Sequence, residues 1–466
     1  MLTYEPILAF TGTNLHVSPF LIGKGEVFFA KNLSSKKIGT FVKTGDYQIK
    51  NAQITASQNI LGGCDFQRVA GTHTHVVACD GAVNSDIYID VAGTWTAQSQ
   101  ALTKNNKVRF AYSPALDNLF AVDYVDATRS YNGSAWSTVT NVTGAPKGKV
   151  LLAFGERIYI LNAVVGATSY ATRIYRSSLV DTGSITWDTT NDWITFDDVI
   201  VGGGRVGDNM LVLCENSSYI FTNSDEKYQI GKIGCVSHES IAEYDKYTFF
   251  ASNYGFYATD GTTPQKVSLP IQEIWDNISY ANLSEIKTAI LDDYVYVFVG
   301  NLTYPETINN CLLEYDINQN DWNVIELGTS GKSLHTFVGS SGKKLFLGDN
   351  NGKIFQMFTS GQQNAVDFPS VLETHWFYGS SPKFLDDYFE LWVYGDDYPS
   401  ISVSVKLDDE NAKWEPVGSV EGSTDFVSFK KRGYRIKFRL QEISGKNLYK
   451  LDGLEVGYLP AAEKTK

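Results

Sequence analysis

The feature of this sequence that most restricts its fold is a unit that recurs from about residue 67 to residue 358. Each copy has a short apolar run, a turn, a run in which apolar and polar residues alternate, and a second turn. Two early copies close on tryptophan, in AGTW and GSAW, and these tryptophans, Trp95 and Trp136, lie 41 residues apart. Because a four-stranded propeller blade takes about 40–50 residues, the spacing predicts a β-propeller.

Seven copies of the unit can be placed along the chain. The two clearest span 68–100 and 107–140, and looser copies begin near residues 149, 206, 244, 285 and 333. Asp, Asn or Gly interrupts the apolar alternation in each copy, which is typical of hairpins. The last copy contains about three strands, and residues 39–54 contain a strand that would complete it. We therefore expect seven blades, with six as the alternative, in a ring closed by this N-terminal strand.

Two parts of the sequence depart from the repeat. In residues 268–286, isoleucine recurs at helical spacing after Ser268 and Pro270, which predicts one short helical insertion with Ser268 as its cap. After about residue 370 the alternating runs become longer and steadier, which favours a separate C-terminal antiparallel β-sandwich. The expected organisation is an N-terminal arm at 1–38, a propeller at 39–365, a sandwich at 366–460 and a flexible tail at 461–466.

Composition agrees with an all-β chain and argues against several classes of function. Among 466 residues there are 27 Tyr, 26 Phe and 40 Gly but only three Met, which favours strands and tight turns over helices. A net charge of −13 gives no general basic surface for binding phosphates. The N-terminal sequence lacks the features of a secretory signal, and no apolar run reaches the roughly 18 residues of a spanning helix. We expect a chain made in the cytoplasm without membrane contact.

The five cysteines carry no motif that predicts chemistry. They are scattered, with no CxxC pair and no metal-ligand spacing, and most stand in apolar, strand-like runs. An odd number in such surroundings predicts buried free thiols in a reducing compartment. The cysteines are Cys64, Cys79, Cys214, Cys235 and Cys311.

The stretch EYDINQNDW partly matches a calcium-binding loop. Asp316, Asn318 and Asn320 match the first alternating positions of an EF-hand. Asp321 stands where glycine is needed for the turn, and Leu327 stands where a bidentate glutamate is needed. Without that carboxylate the loop loses its main charge, which favours a plain turn.

The histidines and carboxylates of the sequence do not predict a catalytic, cofactor or metal site. His73 and His75 lie two apart, so that on a strand both point to one face, and a third metal ligand would have to come from elsewhere. We favour a polar strand face for this pair. Asp doublets recur at predicted turns, where Asp stabilises local hydrogen bonds, and no GxSxG or P-loop motif is present. We therefore expect a protein that is not an enzyme and binds no cofactor.

One basic stretch, FKKRGYRIKFRL at 429–440, is a candidate for contact with a partner. Its charged residues alternate with Tyr434, Ile436 and Phe438. A strand with one charged face can contact phosphates or an acidic partner, and the simpler alternative is a solvated sheet face. The residues predicted to face a partner or DNA are Lys430, Lys431, Arg432, Arg435, Lys437 and Arg439.

Four stretches together resemble the tail hub proteins of short-tailed bacteriophages, which are also called nozzle or packaged-DNA stabilisation proteins. They are SPFLIGKGEVFFAKNLSSKKIGTFVKTGDYQI near the start, RIYRSSLVDTGSITWDTTNDWITFDD, the central blades from MLVLCENSSYIF to the predicted helix, and the predicted terminal sandwich. The likeness spans nearly the whole chain and rests on layout. It departs from the family where an Arg-Pro-Gly-like element is replaced by KTGDY.

This resemblance implies a structural virion protein. Such a protein would form a ring, a hexamer in this family, below the portal and adaptor proteins. The ring would retain packaged DNA, pass it during ejection and anchor tail fibres or spikes, with no catalytic residues to carry over. Two alternatives stay open: a phage-tail propeller that binds or cleaves glycans, and a Kelch-like protein-interaction module.

Overall fold

The computed structural model describes residues 2–8, 10–15, 25–37, 39–222, 226–359, 362–443 and 448–460. The predicted tail at 461–466 and part of the predicted N-terminal arm, including His16, lie outside these ranges. The described chain is all-β apart from short helical turns. Five strands precede the propeller. They are β1 (Thr3–Leu8), β2 (Phe29–Lys31), β3 (Leu33–Lys37), β4 (Thr40–Lys43) and β5 (Tyr47–Ile49).

A β-propeller follows, and its first five blades are separate antiparallel four-stranded sheets. Blade one has β6 (Ile60–Gln67), β7 (His73–Asp80), β8 (Ser85–Val91) and β9 (Thr94–Ala97). Blade two has β10 (Arg109–Ser113), β11 (Asn118–Val122), β12 (Arg129–Tyr131) and β13 (Trp136–Ser137). Blade three has β14 (Lys147–Phe154), β15 (Arg157–Val165), β16 (Thr168–Arg176) and β17 (Trp193–Thr195).

The ring continues with two more blades of the same order. Blade four has β18 (Ile200–Val206), β19 (Asn209–Cys214), β20 (Ser218–Phe221) and β21 (Lys227–Gly231). Blade five has β22 (Ala242–Tyr244), β23 (Tyr247–Ser252), β24 (Gly255–Thr259) and β25 (Gln265–Lys266). The first strand of each blade is the innermost, and these strands pack closely. A Cβ at Gly62 would lie 2.1 Å from the Val108 carbonyl oxygen of the next blade.

The next four strands, which we call the linking unit, occupy a place in the ring without forming a separate sheet. They are β26 (Lys287–Leu291), β27 (Tyr294–Leu302), β28 (Ile308–Asp316) and β29 (Asp321–Glu326). Blade six follows with β30 (Ser333–Gly339), β31 (Gly342–Gly348) and β32 (Ile354–Met357). The inner strands β22, β26 and β30 pack in that order, and β30 packs against β6.

The structure therefore has six separate blades, and the favoured count of seven is wrong in this respect. The sequence locates seven repeats correctly, but the sixth repeat is the linking unit, whose outer strand β29 pairs with β2. Through β2 the linking unit continues into the large C-terminal sheet. The physical reason is that β2, from the N-terminal region, pairs with the outer edge of β29. Without this pairing, β29 would be the edge strand of a separate blade.

The expected closure of the ring by residues 39–54 is confirmed. Strand β5 pairs antiparallel with β32 as the fourth strand of blade six, with Tyr47 opposite Met357 and Ile49 opposite Phe355. The Tyr47 ring is buried and lies edge-on to the Phe355 ring, 5.1 Å between centroids. Closure by a strand from the opposite end of the repeat region covers an edge that would otherwise be exposed.

The C-terminal strands form a large sheet that bends over one apolar core. They are β33 (Ser370–Glu373), β34 (Asp386–Leu407), β35 (Glu415–Gly433), β36 (Ile436–Glu442) and β37 (Lys450–Leu459). The first half of β34 pairs with β37 and its second half with β36, while β35 follows both halves. Leu391 and Val393 of the first half share a core with Val403 and Val405 of the second. The predicted antiparallel strands are present.

The C-terminal sheet differs from the predicted sandwich in not being separate. It includes strands from the predicted N-terminal arm: β1 pairs with β37, and β2 pairs with β33. Strands β3 and β4 extend the other end of the same sheet. A buried ion pair fixes this arrangement, with Lys43 Nζ 2.6 Å from Glu442 Oε2 and both side chains fully buried. Burial lowers the pKa of Lys43, and Glu442 opposes this effect.

The predicted helical insertion is confirmed, although its cap is different. It consists of a 3-10 turn (Leu269–Ile271), α1 (Gln272–Asp276) and α2 (Tyr280–Leu283). A further 3-10 turn spans His238–Ser240. The Ser268 side chain does not cap the helix but accepts a hydrogen bond from the Phe256 amide at 3.0 Å. Ser279 caps α2 by accepting from the Asn282 amide.

Trp322 joins this insertion to the propeller. It is fully buried in the core shared by blade five and the linking unit, and its indole Nε1 donates to the Val267 carbonyl oxygen at 2.9 Å. Its ring lies against those of Phe256 and Tyr315. Trp322 therefore packs between blade five and the linking unit.

Replacing Trp322 with alanine is expected to lower the free energy of unfolding by about 3–5 kcal/mol, because the change leaves a large cavity and an unpaired carbonyl. Urea unfolding followed by circular dichroism measures the shift of the midpoint. Tyr254→Ala is the matched control, since this side chain is 64% exposed. Equal shifts for the two variants would contradict the interpretation of Trp322 as a core residue.

Candidate functional site

The predicted basic residues do not form one charged face in the structure. Lys430, Lys431 and Arg432 lie on β35, Arg435 lies in the turn after it, and Lys437 and Arg439 lie on β36. Lys430 and Arg432 are exposed. Lys431 pairs with Glu415, and Arg435 stacks on Trp376 at 4.2 Å while donating to the Asp408 carbonyl oxygen.

The two basic residues of β36 point into the protein. Lys437 is 1% exposed, with Nζ 2.9 Å from Glu410 Oε1 and 3.4 Å from the centre of the Phe28 ring. Arg439 lies 2.7 Å from Glu306 of the linking unit. Burial lowers the pKa of Lys437, which Glu410 partly offsets. Arg439 therefore joins the linking unit to the C-terminal sheet, whereas Lys437 pairs with a carboxylate of that sheet. Of the six candidates, Lys430 and Arg432 are the exposed ones, and Arg432 Nε lies 3.8 Å from Asp387 Oδ1.

The segment EYDINQNDW, which joins β28 to β29 of the linking unit, contains a plain turn, as expected. Asp316 Oδ1 accepts hydrogen bonds from the backbone amides of Asn318 at 2.8 Å and Gln319 at 3.0 Å. This is the local bonding by which Asp stabilises turns. Within the described part of the chain, no three His, Cys, Asp or Glu side chains converge in a way that could hold a metal ion.

The two histidines of β7 have different surroundings. His73 Nδ1 lies 2.7 Å from Asp65 Oδ2, whereas His75 is buried and its Nε2 lies 2.7 Å from Nε2 of His335. His335 belongs to β30, so this contact spans the seam between blades one and six. The expected polar strand face is therefore wrong for His75.

Both histidines of the seam are held neutral. Burial, together with the nearby Lys50 ammonium, lowers the pKa of His335 to about 3. Burial also lowers the pKa of His75 well below its usual value, with added effects of His335 and Lys50. One neutral ring donates its N–H to the other, an arrangement that a proton on either ring would disturb.

The cysteines are unsuited to nucleophilic chemistry. All five are free thiols; Cys64 is half-buried and the others are buried. Burial raises the pKa of Cys79 and Cys214 to about 12. A thiol with so high a pKa carries almost no thiolate at neutral pH.

A group of basic side chains that the sequence did not predict as a site lies at one end of the propeller axis. Arg109 is the first residue of β10 and Lys107 lies two residues before it, Lys287 is the first residue of β26, and Lys332 stands immediately before β30. Together they line one pocket, which we call the axial pocket. The sequence contains a signal for this group, because each basic residue lies at or just before the first strand of a repeat, which is the innermost strand. The beginnings of three such strands lie close together only in the closed ring.

An aromatic surface lies on the outer side of the C-terminal sheet, and we call it the aromatic face. Strand alternation sends Leu391 and Val393 to the core and leaves Trp392 outward, where it stacks on Phe426 with ring centroids 4.5 Å apart. Trp392 is directly opposite Phe426 on β35 and Glu455 on β37. The aromatic face consists of Tyr4, Glu390, Trp392, Tyr394, Phe426 and Glu455.

Hydrogen bonds hold the rings of this face in place. The Tyr4 hydroxyl donates to Glu390 at 3.2 Å, Trp392 Nε1 donates to Glu390 at 3.1 Å, and the Tyr394 hydroxyl donates to Glu455 at 2.8 Å. Tyr4 and Phe426 are each 42% exposed. Rings fixed in this way lose little conformational freedom on binding, and aromatic residues are enriched in protein interfaces.

Comparison with known proteins leaves the family of the chain open. No family model matches the sequence, and no curated protein matches it either. The similar solved structures include "YCF48 bound to D1 peptide", with 12% identity, a TM-score of 0.40, and coverage of 67% of this chain and 96% of that chain. They also include "AfRom2 CNH domain", with 10% identity, a TM-score of 0.41, and coverage of 67% and 99%. No helix in the described ranges has the length and apolar character needed to cross a membrane.

Acidification is expected to destabilise the protein through the histidine seam. The unfolded histidines titrate near 6.5, and the folded ones titrate lower, so the unfolded state binds more protons between these values. The free energy of unfolding therefore falls as pH falls from about 6.5 toward about 3. We expect His335→Gln to lose less stability than the wild type between about pH 7 and pH 4.5.

The comparison is made by urea unfolding of both proteins at each pH. His238 and His375, whose pKa values burial lowers to about 4, are present in both and cancel. Identical pH dependence in the two proteins would contradict the assignment of a titrating pair to this seam.

Proposed function

We propose that this chain is a structural subunit of a bacteriophage tail, the hub or nozzle ring of a short-tailed phage. In this role it assembles with copies of itself below the portal and adaptor proteins, retains packaged DNA, forms part of the ejection channel and anchors tail fibres or spikes. Its place is the virion tail, and it has no catalytic activity. The layout of the sequence, which resembles that family, supports this proposal.

The aromatic face is the structural observation that carries the proposal. A stacked Trp392–Phe426 pair beside Tyr4 and Tyr394 is a costly surface to leave in water and a favourable one to bury against protein. Its rings are already positioned by Glu390 and Glu455. We assign this face to the contact between neighbouring subunits or between the subunit and the adaptor.

The joined architecture also supports a structural role. The C-terminal sheet and the linking unit share hydrogen bonds through β2, and the Arg439–Glu306 pair lies across the same junction. A subunit built in this way transmits force between its propeller and its C-terminal sheet. The net charge of −13 favours a channel wall that repels DNA and lets it pass.

A second candidate function, glycan binding at a phage tail, is favoured by one feature of the same face. Stacked aromatic rings next to the carboxylates Glu390 and Glu455 provide an apolar platform with hydrogen-bond acceptors at its edge. Sugar rings offer an apolar face and a rim of hydroxyl donors that would match it. The assembly experiment separates the two functions.

The purified chain is expected to form a ring of about six subunits, alone or when mixed with a portal–adaptor assembly, and to cap that assembly. Mass photometry and negative-stain microscopy measure this directly. A chain that stays monomeric under both conditions and binds or hydrolyses glycans on an array would contradict the tail-hub proposal.

Trp392→Ala and Phe426→Ala are expected to weaken ring formation by roughly tenfold or more in subunit concentration, as for residues at the centre of an interface. Tyr434→Ala is the matched control, because Tyr434 is an exposed aromatic residue in the turn between β35 and β36, outside the aromatic face. Circular dichroism confirms that each variant is folded. Unchanged assembly of both face variants would place the interface elsewhere.

A further inference from the structure

The axial pocket combines several features of an anion site. Its volume is about 210 Å³, and its wall comes from the start of the inner strands of blades one, two and six and of the linking unit, and from the segment before β22 of blade five. It lies within a protein of net charge −13, yet four basic side chains line it. These are Lys107, Arg109, Lys287 and Lys332.

The carboxylates nearby do not balance these cations. Glu239 accepts from Arg109 Nε at 2.6 Å and lies 3.5 Å from Lys107 Nζ. Glu285 lies 3.2 Å from Lys107 Nζ and 3.5 Å from Lys287 Nζ. Two carboxylates are thus shared among three cations, and Lys332 makes no ion pair with any residue that the structure describes. The pocket is left with a positive excess.

The titration of two groups reflects the same positive potential. Burial lowers the pKa of Lys287 to about 8, and Lys107 and Lys332 contribute to the decrease. Burial lowers the pKa of His238 to about 4, with further effects of Arg109 and Lys107. In both cases neighbouring cations disfavour one more positive charge, which is the condition that a bound anion would relieve.

Two buried hydroxyl groups provide an independent indication of a ligand. Thr288 and Ser333 line the axial pocket and are each only 6% exposed. Thr288 Oγ1 and Ser333 Oγ have no hydrogen-bond partner in the described part of the chain. A buried hydroxyl without a partner costs free energy, so such groups call for an explanation. Hydroxyl donors beside Lys and Arg are a common combination in phosphate binding.

The size of the pocket restricts the ligand. Pockets for drug-sized molecules occupy roughly 300–1,000 Å³, and the axial pocket is smaller than this range. It suits a single tetrahedral oxyanion or the terminal phosphate of a small molecule. A nucleic-acid strand, which needs an extended groove, does not fit it.

We propose that the axial pocket binds a phosphate group, held by Lys107, Arg109, Lys287 and Lys332 with hydroxyl donors from Thr288 and Ser333. The ligand joins the innermost strands of blades two and six and of the linking unit at the axis. This site is distinct from the aromatic face, and its existence does not depend on the tail-hub proposal.

The test is isothermal titration calorimetry of the full chain with inorganic phosphate at fixed ionic strength. Saturable binding with one site per chain is expected, and Lys332→Met should weaken it roughly tenfold or more, as expected for loss of a charge-assisted contact. Lys332 is exposed and has no ion pair to lose among the residues that the structure describes, so we expect the variant to keep the fold. Thr288→Val is the second variant and should also weaken binding.

Lys343→Met is the matched control, because Lys343 is an exposed lysine of blade six that does not line the axial pocket. It should leave phosphate affinity unchanged. Parallel titrations with O-phosphoserine and with a single-stranded oligonucleotide distinguish the source of the phosphate. Binding of phosphate or phosphoserine that depends on Lys332 supports the proposal. Three results would overturn the proposal. Neither phosphate nor phosphoserine binds saturably, Lys343→Met weakens phosphate binding as much as Lys332→Met does, or only the oligonucleotide binds in a way that depends on Lys332.

Discussion

Strand β2, only three residues long, is the constraint on which the architecture depends. On one edge Lys31 pairs in parallel with Val324 of β29, and the following amide, of Asn32, donates to the Val324 carbonyl oxygen at 2.8 Å. On the other edge β2 pairs with β33. The Lys31 ammonium lies 2.6 Å from Glu306 and 2.9 Å from Glu326. One short segment thus makes a propeller repeat and a C-terminal sheet into a single hydrogen-bonded body.

The repeats, the ring closure and the all-β class were predictable from sequence because each depends on local alternation and on spacing. The union through β2 was not. A run of three residues, Phe29–Lys31, carries too little pattern to indicate a strand, and its partners lie near residues 324 and 372. For the same reason, the sequence located the linking unit but did not indicate that its outer edge is paired. Pairing between strands so far apart in the sequence depends on which strand edges are still unpaired after the blades and the C-terminal sheet have formed.

The basic stretch at 429–440 shows how charge alternation can mislead. The sequence shows the alternation along one strand but not which acidic groups from other parts of the chain lie next to it. Glu410 forms an ion pair with Lys437, and Glu306 forms one with Arg439. The axial pocket shows the opposite case. Each of its cations is unremarkable in its own repeat, and only the circular order of the blades brings them within one cavity. Both outcomes depend on contacts between residues far apart in the chain.

The closure of blade six by β5 has a consequence for biosynthesis. Strand β5 leaves the ribosome early, while its partner β32 follows about 300 residues later. At roughly 5–20 residues per second, the interval is roughly 15–60 seconds. During that time the growing ring is open and its first and last edges are unpaired. The chain therefore completes its propeller only after β32 has been synthesised, and it is most vulnerable to pairing with neighbouring nascent chains before that moment.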